Sequence, residues 1–186
     1  MKQLLLILFY FIFINSSAQD LKIPIKQKNI LEIDLDTKVD KQKRKVLLIS
    51  EAAIYTGALV GLNKLWYSDY PKSSFHFIND NGEWLQMDKL GHMTTSYYTG
   101  VAGINAYEWT GMKRLNAIWY GGLTGTFFLT IIEILDGHSK QWGASSGDLL
   151  ANTTGSLLAI GQALKWNEQR IQLKYSYSPS KWAIKN

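Results

Sequence analysis

Residues 131–155 read I-I-E-I-L-D-G-H-S-K-Q-W-G-A-S-S-G-D-L-L-A-N-T-T-G. An apolar run closes on Glu133, and Asp136, Gly137 and His138 form a turn. A new helix then opens at Ser145 or Ser146, either of which suits an N-cap. Within that helix Asp148 and Asn152 lie four positions apart and share a face. This is the pattern of a helical hairpin, and it sets the expectation of an all-α fold. Its turn packs acids, an imidazole and an amide between apolar helices, which is costly unless those groups are paired or functional.

Working outward, residues 115–135 make a 21-residue apolar segment whose one charge is Glu133. That is long enough for a hydrocarbon core of ~30 Å. Asp88 is expected to cap a preceding helix that runs to about Trp109, with His92 on the same face as Asp88. That helix carries Thr94, Thr95, Ser96, Tyr97 and Tyr98, so it reads as a bundle-interior element. A first apolar helix spans Val46 to Trp66, and the last runs to about Lys165. Small residues recur every four positions at Ala53/Gly57/Gly61, at Gly121/Gly125 and at Gly155/Ala159/Ala163, stripes along which helices approach closely. Such a stripe also suits a helix-mediated oligomer. Four helices joined by short or moderate connections run up and down. The start of the second, the end of the third and the start of the fourth then meet at one end. That end collects His76, His92 and His138 and most of the acids, while Lys41, Lys43, Arg44, Lys45, Lys113, Arg114, Lys165 and Arg170 collect at the other.

The flanks are polar. Met1-Lys2-Gln3, an apolar run over 4–14 and Ser16-Ser17-Ala18 have the form of a secretory signal peptide over residues 1–18, with an uncleaved anchor as the alternative. Residues 19–45 form a polar lead-in, with period-two alternation at 31–36. The helical bundle domain covers 46–166, and a basic, aromatic tail covers 167–186, with strand-like alternation at 171–177. The chain has 46% hydrophobic residues, a formal charge of +5 and no Cys, which excludes disulfides, thiolate metal sites and a lipid-modified Cys within it. Its basic residues flank apolar helices and no nucleic-acid motif is present, so nucleic acid is not an expected partner and a membrane surface is. Basic ends facing the cytoplasm conflict with an exported start, so the number and direction of membrane crossings stay open.

The groups that can carry chemistry lie in D88-K-L-G-H92, E133-I-L-D136-G-H138 and S145-S-G-D148-L-L-A-N152-T-T-G155. Asp88, His92, Glu133 and Asp148 are the candidate catalytic cluster, because an acid beside an imidazole raises its basicity. Lys89, Ser145, Asn152 and Trp142 are the candidate binding residues. Asp136 and His138 are candidate ligands of a divalent metal, the one candidate cofactor where the sequence leaves the cofactor open, since mixed carboxylate and imidazole sets suit such ions. A purely structural reading stands beside these: caps at Asp88 and Asp148, and Glu133 paired with Lys89 or His92 as an interhelical lock. No H-E-x-x-H, G-x-S-x-G or P-loop occurs.

The combination of D-K-x-x-H at a helix start, a Glu ending an apolar helix and D-x-x-x-N-x-x-G resembles the VanZ-like integral membrane family. The flanking F-H-F-I-N-D-N-G-E-W-L-Q-M-D-K, E-I-x-D-G and W-G-x-S are more similar to the YfiM-like group of bacterial proteins, described as predicted periplasmic lipoproteins. The resemblance covers roughly residues 66–160 and implies an envelope location and a helical bundle, with no transferable reaction. The chain departs from that description in having no Cys for a lipobox. The expectation is therefore an exported, membrane-associated bundle of about four apolar helices. Its polar pocket would bind or maintain an envelope lipid or cell-wall component. The alternative is a metal-assisted hydrolase or transferase acting on a lipid-linked envelope substrate.

Overall fold

The computed structural model describes residues 38–82 and 84–174. The expected signal peptide, the alternating segment 31–36 and the tail beyond 174 lie outside the described residues. The chain forms α1 (Lys41–Leu62), extended by a π-helical turn (Asn63–Tyr67), then β1 (Phe77–Ile78), α2 (Met87–Trp109), α3 (Arg114–Gly122), α4 (Thr124–Gly137), β2 (Ala144–Ser145) and α5 (Ser146–Trp166). The all-α bundle expected from the sequence is the observed architecture.

The core is made by α2, α5 and the α3–α4 pair, with α2 packing most extensively on α5. Tyr97, Ile104, Ile118, Ala159, Ile160 and Ala163 are its buried apolar cluster. Glycines let the backbones touch. A Cβ on Gly121 would lie 2.3 Å from the backbone carbon of Gly103, and one on Gly155 would lie 2.1 Å from the Met93 carbonyl oxygen. The small-residue stripes of the third and fourth helical segments are therefore true helix contacts.

The polar groups of this interior pair with one another. Ser96 Oγ donates to the Asn152 carbonyl at 2.6 Å and lies 2.9 Å from Ser156 Oγ, while Thr126 Oγ1 donates to the same carbonyl at 2.9 Å. Buried hydroxyls thus spend their hydrogen bonds across α2, α4 and α5, as burial requires.

Several boundaries differ from the sequence reading. The segment expected as one helix over 115–135 is kinked at Leu123 into α3 and α4. Thr124 Oγ1 donates to the Gly121 carbonyl at 2.7 Å, and a side chain inserted beside a Gly pair is a known cause of a kink. Asp88 is not the N-cap of α2. Gln86 holds that position in a left-handed conformation, and Asp88 lies in the first turn. Helix α1 starts at Lys41 because Asp40 caps it, accepting from the Gln42 and Lys43 amides at 2.9 and 3.1 Å. The basic run 41–45 is therefore helical.

Helix α1 is also less integrated than a four-helix bundle implies: none of its residues is buried. It touches the core along one stripe. Tyr55 stacks on Phe128 with ring centroids 4.8 Å apart, and Glu51 accepts from Tyr107 Oη at 3.0 Å. Arg114, at the start of α3, pairs with Glu108. Ala53 is exposed, and nothing lies within 4 Å of a Cβ placed on Gly57 or Gly61, so the first small-residue stripe meets no other helix here.

Two segments outside the helices are ordered, one by backbone pairing and one by side chains that bond to its backbone. Strands β1 and β2 are parallel, with Phe77 opposite Ala144 and Ile78 opposite Ser145. The aromatic loop after α1 thereby folds back over the α4–α5 turn, where Phe75 packs on Gly137. After α5, residues 171–174 form no strand. They return along the bundle, and Ile171 exchanges hydrogen bonds with Gln162 (2.6 and 2.9 Å) while its carbonyl accepts from Tyr97 Oη at 2.9 Å.

Gly121→Ala should destabilise the fold by about 1–3 kcal/mol through forced helix separation. Gly57→Ala, on the uncontacted face, should stabilise it slightly by helix propensity. Thermal melting of the two variants side by side checks this, and equal shifts would contradict the packing described.

Candidate functional site

The ends of α2, α4 and α5 meet, as the up-and-down reading requires. His92 is the centre. Its Nδ1 lies 3.0 Å from Asn152 Oδ1 and 3.9 Å from Glu133 Oε1, and its Nε2 lies 3.9 Å from Asp88 Oδ1. An amide oxygen and a carboxylate both face Nδ1, so that nitrogen carries the proton and donates to Asn152. Nε2 faces Asp88. Glu133 Oε2 accepts from the Ser145 amide at 2.9 Å, which clamps the end of α4 to the start of α5. Ser145 is the N-cap of α5: its Oγ accepts from the Asp148 amide at 3.2 Å and donates to Asp80 Oδ1 at 2.6 Å.

Lys89 completes the arrangement. Its Nζ lies 2.5 Å from Asp80 Oδ2, 3.0 Å from Asp148 Oδ1 and 3.6 Å from Asp88 Oδ2. The interhelical lock anticipated between Lys89 and Glu133 is therefore made by Lys89 with Asp80 and Asp148, and Glu133 turns to Ser145 and His92. Glu133, Asp148 and Asn152 are 3%, 4% and 0% exposed. The side chains of Asp88 and His92 keep 35% and 18% of their surface in solvent, so the cluster opens on that side.

Burial sets the electrostatics. It pushes Glu133 up to about 7, against the opposing pull of the Ser145 amide and His92. Burial likewise raises Asp136 to about 6, against the hydrogen bond from Tyr67. Asp148 is raised by burial, with His92 and Lys89 acting in the other direction. Burial also acts to raise Asp80, but its bonds from Lys89 and Ser145 outweigh that and hold it below the usual carboxylate range. Lys89 behaves as the mirror image: burial lowers it, and its bonds to Asp80 and Asp148 raise it above the ordinary lysine value.

The other expected residues are placed apart from this centre to different degrees. Asp136 accepts from Tyr67 Oη at 2.6 Å. His138 is exposed, with its ring edge-on to Phe75 at 5.4 Å. Trp142 is the hub of an aromatic cluster with Trp66, Tyr67 and Tyr70, at centroid distances of 5.6, 5.7 and 4.8 Å. It thus joins the end of α1 to the α4–α5 turn and lies beside the charged groups.

Three members were missed in the sequence: Asp80, Tyr67 and the Ser96–Ser156 pair that supports Asn152. Asp80 had a signal, being an acid in a turn shortly before the helix that carries Lys89. Tyr67 had none, since its reach depends on the π-helical turn.

A family model described as "Predicted periplasmic lipoprotein (DUF2279)" matches residues 76–162. That span holds every charged group of the cluster, from Asp80 to Asp148. It carries neither the VanZ-like nor the YfiM-like name. Neither a curated protein nor a solved structure matches the chain. By this match the chain is an exported protein associated with the cell envelope.

The raised carboxyls give a pH signature. A carboxyl whose folded pKa exceeds its unfolded value binds its proton more tightly in the fold. Its stabilising contribution is therefore complete below the unfolded pKa and is lost as pH rises through the folded value. For Glu133 and Asp136 the losses run from the ordinary carboxylate range up to about 7 and about 6, where they level off. In chelator-treated protein the melting temperature should fall between about pH 4 and about pH 7, a window set by those two groups. Glu133→Gln, which can still accept from Ser145, should flatten that fall, and an unchanged slope would contradict the assignment.

Proposed function

We propose that this envelope protein rests against a membrane through α1 and uses the open end of its bundle to bind a lipid or cell-wall component. The observation that supports the pocket is the charge ratio at the meeting of α2, α4 and α5. Five carboxylates, Asp80, Asp88, Glu133, Asp136 and Asp148, surround one lysine and one imidazole. An acidic pocket of this kind suits a ligand that brings amines or hydroxyls, as lipid headgroups and cell-wall sugars and peptides do. Asp88 and His92, on the solvent side, are the contact groups, while Glu133, Ser145 and Asn152 hold them in place.

The membrane part of the reading is supported by α1. With its π-helical turn it is 27 residues long and contains an 18-residue stretch of mean hydropathy 1.5, none of it buried. Val46, Ile49, Ile54, Val60 and Leu65 are exposed along it, and Lys41, Lys43, Arg44 and Lys45 form its basic start. Apolar surface next to a basic cluster favours an anionic lipid surface. The pair α3–α4 also has the length and composition to cross a membrane, but 39% of its apolar window is buried in the bundle.

A second reading, hydrolysis or group transfer on a lipid-linked envelope substrate, draws on His92 Nε2 facing Asp88, an imidazole and a carboxyl group within reach of solvent.

Two outcomes test the main reading. Ile49→Ser, Ile54→Ser and Val60→Ser combined should move the protein from the membrane fraction to the soluble fraction; retention in the membrane would refute the role of α1. Native mass spectrometry of protein extracted in mild detergent should show a co-purifying lipid or cell-wall fragment that Asp88→Asn loses without loss of helical circular dichroism. A wild-type chain with no bound species, or equal binding by the variant, would refute the pocket.

A further inference from the structure

We infer that Asp88, His92 and Asp148 form a binding site for one divalent transition-metal ion, and that Lys89 occupies the ion's place in the metal-free protein. One ligand atom from each of the three residues lies within 4.8 Å of those from the other two. Ligands about 2.1 Å from a tetrahedral ion stand about 3.4 Å apart. The contraction needed is thus of the order of an ångström, and the partly exposed Asp88 side chain is free to supply it by rotation. A carboxylate–imidazole–carboxylate set matches zinc or manganese rather than calcium, which takes more oxygen ligands.

The surroundings of His92 support this assignment independently of the acids. A metal-bound imidazole commonly donates its other N–H to a carbonyl or carboxylate, which fixes the ring and the tautomer. Here Nδ1 meets Asn152 Oδ1 at 3.0 Å with Glu133 behind it at 3.9 Å, and Nε2 is left facing Asp88. Asn152 is itself fully buried, and its Nδ2 has no hydrogen-bond partner among the described residues. A buried donor without an acceptor is destabilising. The carboxamide borders the cluster through its Oδ1, 3.0 Å from His92, and an oxygen carried in with the ion, a water or a ligand group, would answer its Nδ2.

Lys89 explains how the acids are neutralised without the ion. Its shortest contact is to Asp80 at 2.5 Å, and its contacts to Asp148 and Asp88 are longer, at 3.0 and 3.6 Å. On ion entry the ammonium keeps Asp80 and releases the other two, so the site exchanges one cation for another. The ion would serve the same pocket as the envelope ligand proposed above. The inference rests on that reading for the pocket's purpose alone, and metal binding is measurable without the ligand.

The test is calorimetric titration of the full chain, in detergent and after chelator treatment, with Zn²⁺ and with Mn²⁺ at neutral pH. The expected result is one ion per chain, with affinity at least tenfold weaker in Asp88→Asn and in His92→Gln. Asn152→Ala should weaken it by about tenfold through the loss of imidazole positioning. Lys89→Met should bind at least as tightly as the wild type, which a merely structural role for these residues would not produce. The double variant His76→Ala/His138→Ala should keep the single site. A wild-type chain of intact helical content that binds neither ion overturns the inference. So do Asp88→Asn and His92→Gln variants that bind like the wild type, or loss of the ion in the His76/His138 variant. A chain that binds zinc but carries no envelope component would remove the earlier reading and leave this one; the reverse outcome would remove this one alone.

Discussion

Lys89 Nζ is shared by Asp80, Asp148 and Asp88, and so ties the loop before α2 to the first turns of α2 and α5. Lys89 and two of these acids are largely out of water, with 12% of the Lys89 side chain and 6% of the Asp148 side chain exposed. Desolvating such charges costs several kcal/mol per ion, which Lys89 offsets by facing three carboxylates, one of which, Asp80, also accepts from Ser145. Removing one member would leave the others buried and uncompensated, a change of about 3–5 kcal/mol. The path of the 77–82 loop, the start of α5 and the orientation of Ser145 all follow from this contact.

The glycine seam makes the contact possible. Where Gly155 lies against Met93 and Gly125 against Ser96, the helix axes are held close enough for short side chains to bridge them. Ser96, Asn152 and Ser156 then form a hydroxyl and amide layer directly beneath His92. The imidazole therefore sits on a rigid floor, with Asp88 beside it at the mouth. Local chemistry at the mouth and packing further down the bundle form one continuous device, and α1 is attached to its side by the aromatic cluster around Trp142.

Much of this was legible in the sequence. The hairpin of 131–155 was readable because a Ser N-cap, a Gly turn and apolar periodicity agree. The meeting of Asp88, His92, Glu133 and Asp148 followed from helix polarity alone. What stayed hidden depended on chain path. Asp80 enters the cluster because two residues of β1 pair with β2, a contact too short to show as alternation. The kink at Leu123 comes from one hydroxyl, Thr124, competing for a carbonyl inside an otherwise uniform apolar run. Helix α1 carries the same small-residue spacing as α5, yet only the α5 stripe is packed, because spacing marks a face suited to contact without saying what covers it.

The central claim is that the buried acids where α2, α4 and α5 meet are held by Lys89. A double-mutant cycle on unfolding free energy, with Lys89→Met, Asp148→Asn and the double variant in chelator-treated protein, tests it most directly. The account predicts a coupling of about 1–3 kcal/mol between the two positions, because Lys89→Met strands the buried Asp148 carboxylate while Asp148→Asn removes one of the acids that Lys89 bridges. Additive effects, within about 0.5 kcal/mol, would contradict it.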